Sequence, residues 1–170
     1  GIGNCPAPNN QVYCTDHGTA ATTPDTFTAP GKYEVFYYVK DSESDTTLIF
    51  ESRFESGNLR RALNIGENTY NLILKYDYGT TAYTQWYYFK VSNVRKDVRY
   101  KFNIINLIKP DSSYNQGQKP LAYSVKDAAK PGGIGWYRVG ENICYYQNQM
   151  KRKGGGSYYT LSFECTFKND

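Results

Sequence analysis

Histidine and methionine occur once each in the 170 residues, and cysteine four times. One histidine, His17, cannot supply two metal-binding imidazoles, and no glutamate stands three residues beyond it, where Ala20 lies. The same scarcity argues against a Ser/His/Asp triad or a Cys/His pair, since each needs a positioned base, and no Gly-x-Ser-x-Gly elbow occurs. Cys5, Cys14, Cys144 and Cys165 form no Cys-x-x-Cys pair, which disfavours a structural zinc site. Two disulfides, in any of three pairings, would suit a secreted chain. The absence of any Asn-x-Ser/Thr acceptor favours reduced thiols and a cytosolic setting instead. No run reaches the roughly 18 apolar residues of a membrane helix. The chain opens on Gly1 with no charged-then-apolar leader, so a fragment or processed chain without a signal peptide is expected. The net charge of +4 suits an acidic partner, without the dense Lys/Arg clustering of nucleic-acid binders.

What is present favours strands. Tyrosine numbers 18 and phenylalanine 8, and these with the β-branched residues dominate the apolar set. The length suits one domain with a real core. Residues 1–30 hold Pro6, Pro8, Pro24 and Pro30 among small polar residues with no apolar period, and read as a disordered or loosely packed arm. From Gly31 onward period-two alternation begins, with Tyr33, Val35, Tyr37 and Val39 first, then Tyr70, Leu72 and Leu74, then Tyr100, Phe102 and Ile104, and finally Tyr159 to Phe167. Residues 84–92 are apolar on both faces, as in a central strand. Gly132-Gly133-Ile134-Gly135 reads as a turn, and Lys151-Arg152-Lys153-Gly154-Gly155-Gly156 as a basic, flexible tip. About nine or ten strands and no long helical pattern predict an all-β, antiparallel β-sandwich over 31–170.

The stretch Phe50-Glu51-Ser52-Arg53-Phe54-Glu55-Ser56-Gly57-Asn58-Leu59-Arg60-Arg61-Ala62 organises the rest. It reads as a strand, a tight turn at Ser56-Gly57-Asn58 and a second strand, together a hairpin, with Leu59, Arg61 and Leu63 sharing one face. Alternation puts Glu51, Arg53 and Glu55 on one side. An acid-base-acid face is either a solvated ladder or, with Asn58, a surface pressed against another domain. A second set, Arg60, Arg61, Arg95, Lys96, Arg99 and Lys109, falls at strand ends and turns and forms a candidate basic rim for an acidic substrate. The aromatics allow a carbohydrate-binding or adhesive module as the alternative, although Trp86, Tyr88, Trp136 and Tyr158 fall in alternating patterns that read mostly as core.

The same stretch resembles the amino-terminal domain of the cytosolic carboxypeptidases, zinc peptidases that trim glutamates from tubulin. Further similarity follows in order at Gln85-Trp86-Tyr87-Tyr88-Phe89, Val91-Ser92-Asn93-Val94-Arg95-Lys96 and Tyr100 to Leu107. It continues through Ser113 to Gly117, Lys119 to Ser124, Gly135 to Gly140, Ile143 to Tyr146 and Tyr158 to Phe163. The resemblance implies a sandwich that precedes a peptidase domain, packs on it and frames its entrance, with Glu51, Arg53, Glu55 and Asn58 at that contact. It implies zinc in the peptidase domain and none in this segment, which alone should hydrolyse nothing. The partners implied are the catalytic domain and glutamylated tubulin or other polyglutamate-bearing proteins, with no nucleic acid or membrane. The location implied is the cytoplasm, at microtubules or cilia. Gly154-Gly155-Gly156 departs from the family pattern by lengthening one turn.

Overall fold

The computed structural model describes residues 12–15, 33–34, 40, 42–54, 57–75, 87–110, 112–133, 135–152 and 154–168. Eleven strands are found there: β1 (Val12–Thr15), β2 (Tyr33–Glu34), β3 (Ile49–Glu51), β4 (Leu59–Gly66), β5 (Thr69–Leu74), β6 (Tyr88–Ser92), β7 (Arg99–Leu107), β8 (Leu121–Ser124), β9 (Trp136–Arg138), β10 (Glu141–Lys151) and β11 (Ser157–Thr166). Helical structure among these residues is one α-turn, α1 (Val125–Ala128), and one 3-10 turn, Ser113–Gln116. The strands form a five-stranded sheet, β3-β6-β1-β8-β9, and a six-stranded sheet, β10-β11-β7-β5-β4-β2.

This is the all-β sandwich that the alternation predicts, with one pairing that sequence alone does not reveal. β5 and β7 run parallel, from Thr69↔Lys101 to Leu72↔Ile104. Parallel neighbours need a crossover, and here the chain leaves the six-stranded sheet after β5, adds β6 to the opposite sheet and returns as β7. Within the stretch expected as an arm, Val12–Thr15 forms β1, hydrogen-bonded between β6 and β8. Val-Tyr-Cys-Thr is a short run of strand formers, and the rest of 1–30 lies outside the described residues.

The core lies between the sheets. Phe50, Phe89, Val91 and Ala122 on one side meet Leu72, Leu74, Phe102, Ile104, Leu161 and Phe163 on the other, all fully buried. Phe102 is the hub, with Phe50 edge-on at 5.9 Å and Phe89 at 6.4 Å. Each such ring pair adds about 0.5–1.5 kcal/mol beyond the area it buries.

The stretch 50–62 is a crossover between the sheets and not a hairpin. β3 pairs with β6, whereas β4 pairs with β5 and β2. Ser52 Oγ donates to the Leu59 carbonyl at 2.9 Å, pinning one sheet to the other. Gly57 is needed there for space: a Cβ would fall 2.1 Å from the Ser52 carbonyl oxygen. A bulge then shifts the register of β4 from Leu59↔Leu74 to Arg61↔Ile73. As a result Ala62 joins the core with Leu59, where simple alternation had placed Arg61.

A similar irregularity in β7 brings both Ile104 and Leu107 into the core. Asn106, fully buried, accepts the Leu74 amide at 3.0 Å and donates to the Leu74 carbonyl at 3.1 Å. Its carboxamide thereby extends the β5–β7 ladder in place of a peptide group.

Candidate functional site: an aromatic outer face and a divided set of cations

Because Phe50, Phe89 and Ala122 point into the core, their strand neighbours point outward. Register partners in one row across the five-stranded sheet include Glu51↔Lys90 and Tyr123↔Trp136, on either side of β1. In that row Lys90, 7% exposed, donates to Glu51 at 2.7 Å. A charge this far from water requires its partner, so Glu51 is committed within the domain.

Beside this pair lies a second aromatic cluster. Phe54 meets Tyr88 edge-on at 5.0 Å, Tyr88 meets Trp136 at 6.4 Å, and Trp136 meets Tyr123 at 5.5 Å. Val125 packs with them. Burial pushes the Tyr88 phenol above the usual tyrosine range. Trp136 remains 44% exposed, so it is not the core residue that its alternation suggested. The reason is its place on β9, a three-residue edge strand, at an outward register position. Tyr158 is buried as expected, and Trp86 lies outside the described residues.

Of the four interface candidates, Glu51 lies in the outward row and Arg53, two residues further on, is exposed next to Phe54. Glu55 lies outside the described residues. Asn58 turns inward. Its Oδ1 accepts the Tyr88 amide at 2.7 Å, its own amide donates to the Tyr88 carbonyl at 3.1 Å, and its carbonyl accepts the Lys75 amide at 2.7 Å. It therefore staples the start of β4 to the opposite sheet. Sequence reasoning assigned Glu51 and Arg53 to this surface but missed Tyr123 and Trp136. Their outward phase depends on which edge β9 joins.

Strand direction divides the six rim candidates. β5 and β7 are parallel, and β4 and β11 run against them. The start of β4 therefore shares one end of the six-stranded sheet with the ends of β5 and β7. Arg60, Arg61 and Lys109 lie at that end, joined by Lys75 just past β5 and by Lys151 and Arg152 at the β10–β11 tip. The tip closes through Arg152 N to Gly156 O at 3.0 Å and Gly155 N to Arg152 O at 3.1 Å. Gly154, Gly155 and Gly156 all have positive φ, at 93°, 109° and 88°, which only glycine adopts readily in succession.

Arg95, Lys96 and Arg99 lie at the opposite end. There Arg95 Nη2 donates to Asn68 Oδ1 at 3.3 Å, and Arg99 pairs with Glu141 at 3.3 Å and Glu164 at 3.8 Å. Sequence order had joined the two groups; topology separates them and adds Lys75, Lys151 and Arg152 to the first.

Among the described residues no three His, Cys, Asp or Glu side chains come together to hold a metal ion, so no zinc chemistry is assigned to them. Cys144 is exposed and Cys165 is buried. No described helix is long and apolar enough to cross a membrane.

The fold and this surface define an all-β sandwich domain with an aromatic outer face beside the Lys90–Glu51 ion pair. Residues 50–150 match the family model described as the cytosolic carboxypeptidase N-terminal domain, and the chain belongs to that family. It is 48% identical over 129 residues to cytosolic carboxypeptidase 1 of Xenopus laevis, a match covering 71% of this chain and 10% of that protein. It is 42% identical over 167 residues to cytosolic carboxypeptidase 2 of Danio rerio, covering 95% of this chain and 22% of that protein. With cytosolic carboxypeptidase 2 of Xenopus tropicalis the identity is 48% over 128 residues, 75% of this chain and 13% of the relative. The chain thus spans a minor part, from 10% to 22%, of these relatives' lengths.

Proposed function

We propose that this chain is the accessory sandwich of a zinc metallocarboxypeptidase that removes C-terminal or side-chain glutamates from tubulin and other glutamylated proteins. In this reading residues 31–170, joined by β1, precede a peptidase domain, pack on it and frame substrate entry, while hydrolysis belongs to the partner domain. The setting is the cytoplasm, at microtubules or cilia. The observation that carries the docking role is the outer face of the five-stranded sheet. Phe54, Tyr88, Tyr123 and Trp136 lie in contact there, within the family-matched region and next to exposed Arg53. Trp, Tyr and Arg are the residue types that dominate binding energy at protein interfaces. The relatives' printed names, all carboxypeptidases, support the peptidase parent.

The test uses the longer protein. Arg53→Glu and Trp136→Ala should each weaken domain docking and lower deglutamylase activity, with the sandwich still folded. Unchanged activity and melting temperature in both variants would remove the docking role. Exposed Trp136 also keeps the carbohydrate reading in view. Its neighbours meet it at 84° and 54°, however, and so do not form a coplanar sugar platform. Retention on cellulose, xylan or chitin with none on microtubules would favour that alternative.

A further inference from the structure

We infer that β10 pairs antiparallel with the same strand of a second copy of this chain, across a two-fold axis at Tyr146, so that two six-stranded sheets join edge to edge. Among the described residues the sheets end on β3, β9, β10 and β2. Three of these are only two or three residues long, and short edges resist pairing. β10 runs for 11 residues from Glu141 to Lys151, none of them buried, and holds no proline. A long, open edge of this kind is a template for another strand.

The sequence of β10 is self-complementary. Its ends carry opposite charges, Glu141 and Lys151, and no residue from Asn142 to Met150 is charged. Laid antiparallel on a copy with Tyr146 opposite Tyr146, the strand sets each Glu141 against the partner's Lys151. Bulges make the two halves of β10 slightly unequal. On β11 the first half covers Glu164 to Thr160 and the second Thr160 to Ser157, four residues against three. The paired ends thus fall within one residue, about 3.4 Å, which Glu and Lys side chains bridge. Glu141 meets exposed Arg99 at 3.3 Å and Lys151 donates to Ser157 Oγ at 3.1 Å, surface contacts that a carboxylate and an ammonium can each share with a second partner. Tyr146, 49% exposed, is with Trp136 the exposed large apolar side chain of the described residues, and at the axis it meets its own copy.

The edge is held in place from within. Tyr145 lies parallel to Tyr159 at 5.8 Å, and its hydroxyl donates to the Lys109 carbonyl at 2.6 Å. Asn148 donates to the Ile105 carbonyl at 2.8 Å and accepts the Met150 amide at 3.0 Å. The Met150 amide is therefore spent, and the new ladder runs through the middle of the strand. One strand from each copy makes a small interface, so the dimer is weak and depends on concentration. The docking role uses the outer face of the other sheet, so either can fail without the other.

The test is sedimentation velocity of the 170-residue chain. Monomer should give way to dimer as the concentration rises from about 10 μM to about 1 mM. Glu141→Lys and Lys151→Glu should each weaken the dimer about tenfold or more, because both ends of the ladder then face like charge. An equimolar mixture of the two variants should recover the unaltered affinity within about threefold, since Lys then meets Glu at both ends of the mixed dimer. Glu164→Lys, beside the same Arg99 but one strand inward, should change it less than about twofold. Thermal melts check that each variant folds, and recovery on mixing itself requires folded variants. A chain that stays monomeric throughout, single reversals without effect, no recovery on mixing, or a dimer lost with Trp136→Ala would overturn the inference.

Discussion

Replacing Asn58 with alanine removes the oxygen that accepts the Tyr88 amide at 2.7 Å and leaves that amide without its partner. The two main-chain bonds of residue 58, at 3.1 and 2.7 Å, do not need the side chain and should persist. An abandoned buried donor costs about 1–3 kcal/mol, and the half-buried setting admits some water, so the lower part of that range, about 1–2 kcal/mol, is expected. For a domain of this size each kcal/mol moves the melting temperature by about 2–4 °C, which predicts a fall of about 2–8 °C. Asn58→Asp keeps an acceptor oxygen in place and should fall by much less. Urea and thermal unfolding of the isolated chain, followed by near-ultraviolet circular dichroism, read both variants. Equal stability of Asn58→Ala and the unaltered chain, or equal damage from alanine and aspartate, would refute the staple. If the isolated chain were indifferent to the change and only the longer protein lost activity, Asn58 would belong to the domain contact instead.

Asn106→Leu should be more damaging. It strands both the amide and the carbonyl of fully buried Leu74, about 2–6 kcal/mol together, and denaturant titration should find the midpoint lowered accordingly. Tyr88 carries a pH signature. Burial raises its pKa above the ordinary tyrosine value, so at high pH the folded chain keeps a proton that the unfolded chain releases. The stability this carries is complete below the unfolded pKa of about 10 and is lost as pH rises beyond it. Melting temperature should therefore decline above about pH 10, and the decline should be shallower in Tyr88→Phe.

The sandwich was legible because its longest strands bury one face, and Tyr100, Phe102 and Ile104 declare that face by simple alternation. Alternation misled where the backbone departs from it. The β4 bulge exchanges Arg61 for Ala62 in the core, and nothing local in Leu-Arg-Arg-Ala announces the extra residue. Ser56-Gly57-Asn58 looked like turn chemistry, yet Gly57 is required by the approach of the Ser52 carbonyl as the chain changes sheets. Sheet assignment is a long-range property, and it also governed the candidate sites. Glu51 could be recognised as a charge needing a partner, but Lys90 could be named only once β3 and β6 were known to be neighbours. Arg60 and Arg99 looked equivalent at strand ends until the parallel β5–β7 pair placed those ends on opposite sides.

The docking claim is tested most directly by hydrogen–deuterium exchange on the sandwich, alone and within the longer protein. The account predicts added protection at residues 49–54, 121–125 and 136–138 when the peptidase domain is present, with the β10–β11 tip unaffected. Protection confined to the six-stranded sheet, or none on the outer face of its partner, would contradict it.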